Sequence, residues 1–300
     1  MLKNIFFLIL FSLFCHLQAD FATEPVDVFS GVDPKEINVA DIDNDGSSDI
    51  VFVDNGVIKV LYQDGVAANQ KSLRFNGNQN AYVNSSDAFN SANFTVSFWV
   101  KFPTLSAELG TQTFFTKSGD GSNLYRMTFN STLNQVDFLV YDQISASWII
   151  CKSTVGIFSA DTWYHVVGVH SAALDKTELW IDNVMMQRTR GAEALETNNL
   201  ALSIGSFKDS TLPRFLNAQI DEFAFFKTGL STEDISLIHT SFKGGDLNKH
   251  PQSSNLSLWL TMGDSADDST VVMSDRSSNK LTAYLSNFLE GDYIEDAYQD

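Results

Sequence analysis

Phe94-Thr95-Val96-Ser97-Phe98-Trp99-Val100-Lys101-Phe102 sets Phe94, Val96, Phe98, Val100 and Phe102 at alternate positions, with Thr95, Ser97, Trp99 and Lys101 between them. Successive side chains of an extended strand point to opposite faces, so the five apolar residues share one face and the mixed residues the other. The stretch predicts a strand with one buried face. Similar segments follow at Gln135 to Tyr141, Trp148 to Lys152, Trp163 to His170, Thr177 to Ile181, Leu200 to Gly205 and Gln219 to Phe226. Gly, Asn, Asp and Ser clusters separate them, and Asp182-Asn183 joins two of them with residue types that tolerate the positive φ of a tight hairpin. Strands at this spacing, with 24 Phe to fill an inter-sheet space, predict an all-β chain folded as an antiparallel two-sheet sandwich.

One short helix is expected from Thr232 to Phe242, with Ser231 as N-cap and Glu233 and Asp234 suited to its first turn. After Gly244-Gly245 a polar linker leads to strands at Leu256 to Met262 and Leu281 to Leu285. These either complete the first sandwich or open a second copy, and the first is preferred because a lone strand pair carrying Trp259 would leave apolar surface wet. On the other side, Ile37 to Tyr62 reads as a strand, an Asp-rich loop, a strand, a turn at Asp54-Asn55-Gly56 and a third strand.

The chain opens with Lys3, an apolar run from Ile5 to Phe14, and small Ala19 before Asp20, the pattern of a secretory signal peptide cleaved near Ala19. The run is too short to span a bilayer. Acylation at Cys15 is disfavoured by bulky Phe14 in front of it. Cleavage would leave Cys151 as the sole cysteine, so no internal disulfide is expected. With 19 Lys and Arg against 37 Asp and Glu, the formal charge of -18 argues against nucleic acid and anionic lipid as partners and favours cations.

Some of that acid is clustered. In Asp41-Ile42-Asp43-Asn44-Asp45-Gly46-Ser47-Ser48-Asp49, alternate Asp residues on a tight loop aim carboxylates at a common centre, Gly46 permits the bend and Asp49 returns a further carboxylate. Calcium, a hard cation that takes 6 to 8 oxygens, fits such a loop. Asp41, Asp43, Asp45 and Asp49 are the expected ligands. Phe52 stands where a helix-loop-helix calcium hand needs Glu, and the flanks read as strands. With its Val39-Ala40 lead and Ile50-Val51-Phe52 exit, the loop resembles that of FG-GAP and VCBS repeats, although a single repeat cannot close a propeller.

The segment from Leu73 to His239 resembles the laminin-G-like, concanavalin A-like jelly roll family. The resemblance is carried by Leu73-Arg74-Phe75-Asn76-Gly77 with Tyr82-Val83, the 94–101 strand, Trp163-Tyr164-His165-Val166-Val167, Leu179-Trp180-Ile181-Asp182-Asn183, Ile204-Gly205, and Ile220-Asp221-Glu222-Phe223 leading to Leu230-Ser231-Thr232-Glu233-Asp234-Ile235. It implies a calcium between the early turn and the late strand, with Asp221 matching the late ligand and Asn76 standing where Asp is usual, Asn78 nearby. A hydrogen-bonded structural role for Asp221 is the other reading. The expected divisions are a signal peptide at 1–19, a calcium-loop strand segment at 20–69, the jelly roll at 70–243, and a linker with C-terminal strands at 244–300.

No enzyme signature stands out. Glu178, Asp182, Asp221 and Glu222 do not reproduce the clustered carboxylates of a glycosidase strand, and regular alternation sends Asp221 and Glu222 to opposite faces. His165 and His170 fall on opposite faces of one strand, and Cys151 has no adjacent His pattern. Tyr125, Tyr141 and Trp148, near strand ends, are the candidates for stacking on a ligand, the alternative being core or cross-strand pairing. The expected role is non-enzymatic: calcium-assisted binding of an extracellular glycan or surface protein. A structural envelope component is the alternative, and a glycan hydrolase is less favoured.

Overall fold

The computed structural model describes residues 37–40, 49–54, 57–61 and 69–295, apart from 85, 120–123, 192–194, 196, 208–213, 243 and 266. Strands β1 (Ile37–Ala40), β2 (Asp49–Asp54) and β3 (Val57–Leu61) form an antiparallel sheet of their own, in the order β1-β2-β3. Ala40 pairs with Asp49 and Asp54 with Val57. Asp41, Asp43 and Asp45 lie outside the described residues, as do the signal sequence and the side chain of Asp49.

The second unit is a two-sheet sandwich. One sheet runs in the spatial order β10 (Ser147–Lys152), β9 (Gln135–Asp142), β8 (Tyr125–Asn130), β7 (Thr111–Thr116), β14 (Leu202–Ile204), β5 (Asn80–Val83), β18 (Thr282–Ser286) and β17 (Val272–Ser274). The other runs β13 (Val184–Thr189), β12 (Lys176–Ile181), β11 (Trp163–Ser171), β6 (Asn93–Lys101), β15 (Asn217–Phe226), β4 (Ser72–Asn76) and β19 (Tyr293–Ile294), with β16 (Leu256–Leu260) also paired to β15. Every strand pairing in both sheets is antiparallel.

Phe94, Val96, Phe98, Val100 and Phe102 are fully buried between the sheets. Phe94 stacks on Phe225 with centroids 5.5 Å apart and Phe98 on Phe223 at 5.9 Å, so neighbouring strands β6 and β15 present their rings in register. The opposite face of β6 departs from expectation. Thr95, Ser97, Trp99 and Lys101 are buried as well. The outer face of this sheet carries a second apolar cluster, in which Val167, Val169, Ala224 and Phe226 pack with Ile235 and Ile238 of a helix and with Leu256 and Trp259 of β16. The first helix of the sandwich, α1 (Ser86–Phe89), is a single turn; the helix of the cover is α2 (Thr232–Thr240). Ser231 caps α2 reciprocally with Asp234, each side chain bonding the other's backbone N–H at 3.1 Å.

The C-terminal strands enter both sheets. Ala283 pairs with Val83, Tyr293 with Leu73 and Phe223 with Leu260, while Leu258, Leu260, Met273, Ala283 and Phe288 join the inter-sheet core. Ending the chain at Asn255 would therefore expose edges of both sheets and uncover Trp259's site. Such a truncation is expected to lose its cooperative urea transition and its near-UV circular dichroism. Trp259→Ala in the full chain is expected to fold with a loss of about 3–5 kcal/mol in urea unfolding, the usual range for deleting a fully buried indole.

Candidate functional site

Strand β15 contains one residue too many. Against β6, Asp221 pairs with Trp99 and Ala224 with Ser97, so three steps on β15 face two on its neighbour. Glu222 takes up the difference at φ 50° in the left-handed region. This is a β-bulge, and it breaks the alternation that sends Asp221 and Glu222 to opposite faces. Ile220 and Phe223 both enter the inter-sheet core, and the two carboxylates between them share the outer side.

There they meet Asp264, on the turn just after β16, with one oxygen from each of the three carboxylates within 4.8 Å of the others. Asp221 is fully buried and Glu222 nearly so, while Asp264 is partly exposed. Asn69 Nδ2 donates to Asp221 Oδ2 at 3.0 Å, and the Glu222 backbone N–H donates to Asp221 Oδ1 at 2.9 Å. Trp259 Nε1 donates to Glu222 Oε2, and the backbone N–H groups of Gln70 and Lys71 donate to Asp264 Oδ1 at 3.2 and 2.9 Å. Gly244, at φ +64°, lies so close to Asn69 that a Cβ there would fall 2.7 Å from the Asn69 Cβ. The bare glycine lets the 244 turn close over Asn69.

Burial, and then the Asp221 charge, push the Glu222 carboxyl well above the usual range. Burial lifts Asp264 to about 7, with the Asp268 charge adding to it. Neighbouring carboxylates desolvated together cannot all ionise without a counter-charge, so they hold protons or a cation. An all-oxygen donor set of this kind suits a hard divalent cation. It suits polysaccharide hydrolysis poorly. That chemistry needs an acid and a nucleophile facing each other across an open groove, whereas Asp221 and Glu222 are buried where β15 runs beside its sheet neighbour β16.

Asp221 is thus in the cluster, but Asn76 and Asn78 are not brought to it. The register sets Asn76 opposite Asn217, four residues from Asp221 and about 13 Å along the strand. Both asparagines are exposed. The asparagine that reaches Asp221 is Asn69, one strand-length earlier. Sequence reasoning missed it and Asp264 because each lies just outside a recognisable strand, and misplaced Glu222 because no Gly or Asn marks the bulge.

Tyr125 is no ligand platform. It is fully buried between the sheets, its hydroxyl donating to the Phe89 carbonyl at 2.9 Å. Tyr141 and Trp148 are half-buried, face each other across β9 and β10, and meet edge to face with centroids 5.1 Å apart. His165 and His170 do lie on opposite sides of β11. His165 Nε2 is 2.7 Å from Ser97 Oγ, yet both residues are buried, burial lowers the imidazole to about 3, and the nearby Asp182 carboxylate accepts from the His165 backbone rather than its ring. That pair lacks the access and the orienting acid of a nucleophile dyad. Glu178 is held by Lys176, Trp180 and Arg188. Cys151 is buried and contacts the Thr177 carbonyl, and burial raises its thiol pKa.

Among solved structures, a "putative carbohydrate binding protein" from Bacteroides ovatus superposes with a TM-score of 0.58 at 11% identity, over 80% of this chain and 66% of that one. A heptameric SAP-like pentraxin from Limulus polyphemus gives 0.47 at 11% identity over 73% and 96%. The binding domain of botulinum neurotoxin serotype D gives 0.43 at 15% over 70% and 47%. At such identities the likeness is one of fold. No curated protein sequence matches the chain. The Laminin_G_3 profile, described as the concanavalin A-like lectin/glucanases superfamily, matches residues 75–236, more than half of the chain. With two antiparallel sheets in the matching arrangement, this chain belongs to that concanavalin A-like superfamily.

Proposed function

We propose that the protein is a secreted recognition module that binds an extracellular glycan with the help of calcium and carries out no chemistry. The observation that carries this reading is the Asp221, Glu222 and Asp264 cluster, an oxygen-donor set assembled on a lectin-type fold by a bulge and a C-terminal turn. Calcium there ties three separate pieces of chain together: the Asn69–Lys71 segment, the β15 bulge and the turn at Asp264. Its work is to order these loops, not to activate water. The Asp41, Asp43, Asp45 and Asp49 loop supplies a second, independent calcium site, and the leader ending near Ala19 directs export. The half-exposed Tyr141 and Trp148 rings offer sugar-stacking surface. The Bacteroides protein's name supports carbohydrate as the ligand class.

Protons and calcium compete for the cluster, which gives a signed test. The folded-state pKa values of Glu222 and Asp264 are raised, so between the ordinary carboxylate range near 4 and about 7 the folded state holds more protons than the unfolded state. Without calcium, stability from this cluster is greatest at low pH and declines as pH rises through that window. Calcium should therefore raise Tm more at pH 8 than at pH 5. At a hundredfold excess over Kd the gain is about 2.7 kcal/mol, several degrees for a domain of this size. Asp221→Asn and Glu222→Gln should each abolish the cluster's share of the shift, and Asp43→Asn with Asp45→Asn should leave that share intact. Equal shifts in all four proteins would remove the metal assignment.

The functional reading is checked on protein lacking residues 1–19, screened against polysaccharides in calcium and again in a chelator. Saturable binding, lost in chelator and without turnover of the sugar, is the expected result. A folded protein that binds no glycan in either condition would shift the assignment to a surface-protein ligand or an envelope role.

A further inference from the structure

The outer face of the β10-β9-β8 edge carries an arginine that makes no ion pair with a carboxylate among the described residues. Arg126 of β8 lies with its guanidinium carbon 4.4 Å from the Trp148 ring centre and 5.5 Å from that of Phe207. Its Nε is buried without a hydrogen-bond partner, and the Nη edge is not among the buried unpaired atoms. A guanidinium donor is seldom buried without an acceptor, because that forfeits its solvation. Arg214 stands close enough to add its repulsion to burial in lowering the Arg126 pKa, and its backbone N–H donates to the Phe207 carbonyl at 3.2 Å, which ties it to the same clamp. Among the described residues neither arginine ion-pairs with a carboxylate. Asp137, opposite Thr128 on the neighbouring strand β9, pairs with Lys152 at 3.6 Å. In a chain with almost twice as many acidic as basic residues, two adjacent arginines without an ion-pairing carboxylate among the described residues stand out.

We infer that Arg126 and Arg214, with the Trp148 and Tyr141 rings beside them, form a subsite for the carboxylate or sulfate of an acidic sugar. The inference rests on the glycan reading above and narrows it. A planar guanidinium fixed between two aromatic rings presents its remaining N–H edge to an oxyanion in the paired geometry that carboxylate and sulfate accept. The neighbouring ring pair supplies an apolar platform for the pyranose face that bears the anion. The overall charge of -18 repels densely charged polyanions at long range, so the subsite suits a chain with isolated acidic units and not nucleic acid.

The test compares calorimetric titrations of the full mature chain with trigalacturonate, its fully methyl-esterified form and inorganic sulfate, with melting curves on each variant. Methyl esterification keeps the rings and removes the charge. The expected result is at least tenfold tighter binding of the acid than of the ester, loss of that preference in Arg126→Gln, and a smaller loss in Arg214→Gln, at unchanged melting temperature. Arg126→Lys, which keeps the charge but not the fork, should recover less than half of the lost binding free energy. Sulfate binding that vanishes in Arg126→Gln, with no saccharide bound, would keep the anion site and remove the glycan reading. Ester and acid bound equally, or acid binding indifferent to Arg126→Gln, would overturn the inference and leave the glycan reading standing. No binding of any of the three ligands would overturn both.

Discussion

Strand β15 is buried on both faces, and one extra residue within it determines what the outer face holds. Its inner residues Ile220, Phe223 and Phe225 belong to the inter-sheet core, and its outer residues Ala224 and Phe226 to the cluster beneath α2, which Leu256 and Trp259 of the adjacent strand β16 share. A regular strand would have placed Asp221 outside and Glu222 inside among phenylalanines, where an unpaired carboxylate is costly. The bulge at Glu222 avoids that and restores the apolar register from Phe223 onward. It does so with a non-glycine residue at φ 50°, at a cost of about 1–2 kcal/mol, and it concentrates charge under a cover. Two unfavourable choices at one residue are tolerated where something else compensates, and a divalent cation held by Asp221, Glu222 and Asp264 would compensate both at once.

The same double burial explains what the amino-acid sequence conveys and what it withholds. Alternation along 94–102 identifies the inner face because five large apolar side chains repeat at period two. The outer face is Thr, Ser, Trp and Lys, which by composition suits a half-wet surface. Its burial comes from α2, whose His239 stacks on Trp99, and from the segment before it that meets Thr95, more than a hundred residues later, and no local pattern can announce a cover at that range. Ser231 to Asp234 was legible as a helix start because capping is a local matter of four residues. The C-terminal strands were legible as strands, while their partners β4, β5 and β15 depend on which edges the rest of the chain leaves open.

Site residues divide along the same line. Asp221 could be placed by its position in a strand, but its companions could not. Asn69 and Asp264 converge from 152 and 43 positions away, and Glu222 joins only through a backbone irregularity that its residue type does not advertise. Tyr125 and Tyr141 illustrate the complementary ambiguity. Both sit near strand ends, yet Tyr125 pairs with Val140 and faces the core, while Tyr141 pairs with Trp148 on the other side. Which face is core is set by the opposing sheet, not by either tyrosine's neighbours in sequence.

The sandwich is therefore asymmetric in how its two outer faces are covered. The sheet containing β15 has its outer face covered by α2, with β16 extending the sheet beside β15. The sheet containing β8, β9 and β10 carries half-exposed aromatic pairs on its outer face, Tyr141 with Trp148 toward one edge and Tyr82 stacked on Tyr284, centroids 5.5 Å apart, toward the other. Ring pairs on a flat sheet keep their spacing because the strands beneath fix it, so a ligand that stacks on them loses only its own freedom on binding. A cation in the covered face could affect such a ligand only by stiffening the sandwich as a whole, through the Asn69 segment that leads into β4 and the β15 strand that shares its core. On the function proposed above, calcium dependence and ligand contact reside on different sheets of one molecule, joined by the phenylalanine layer between them.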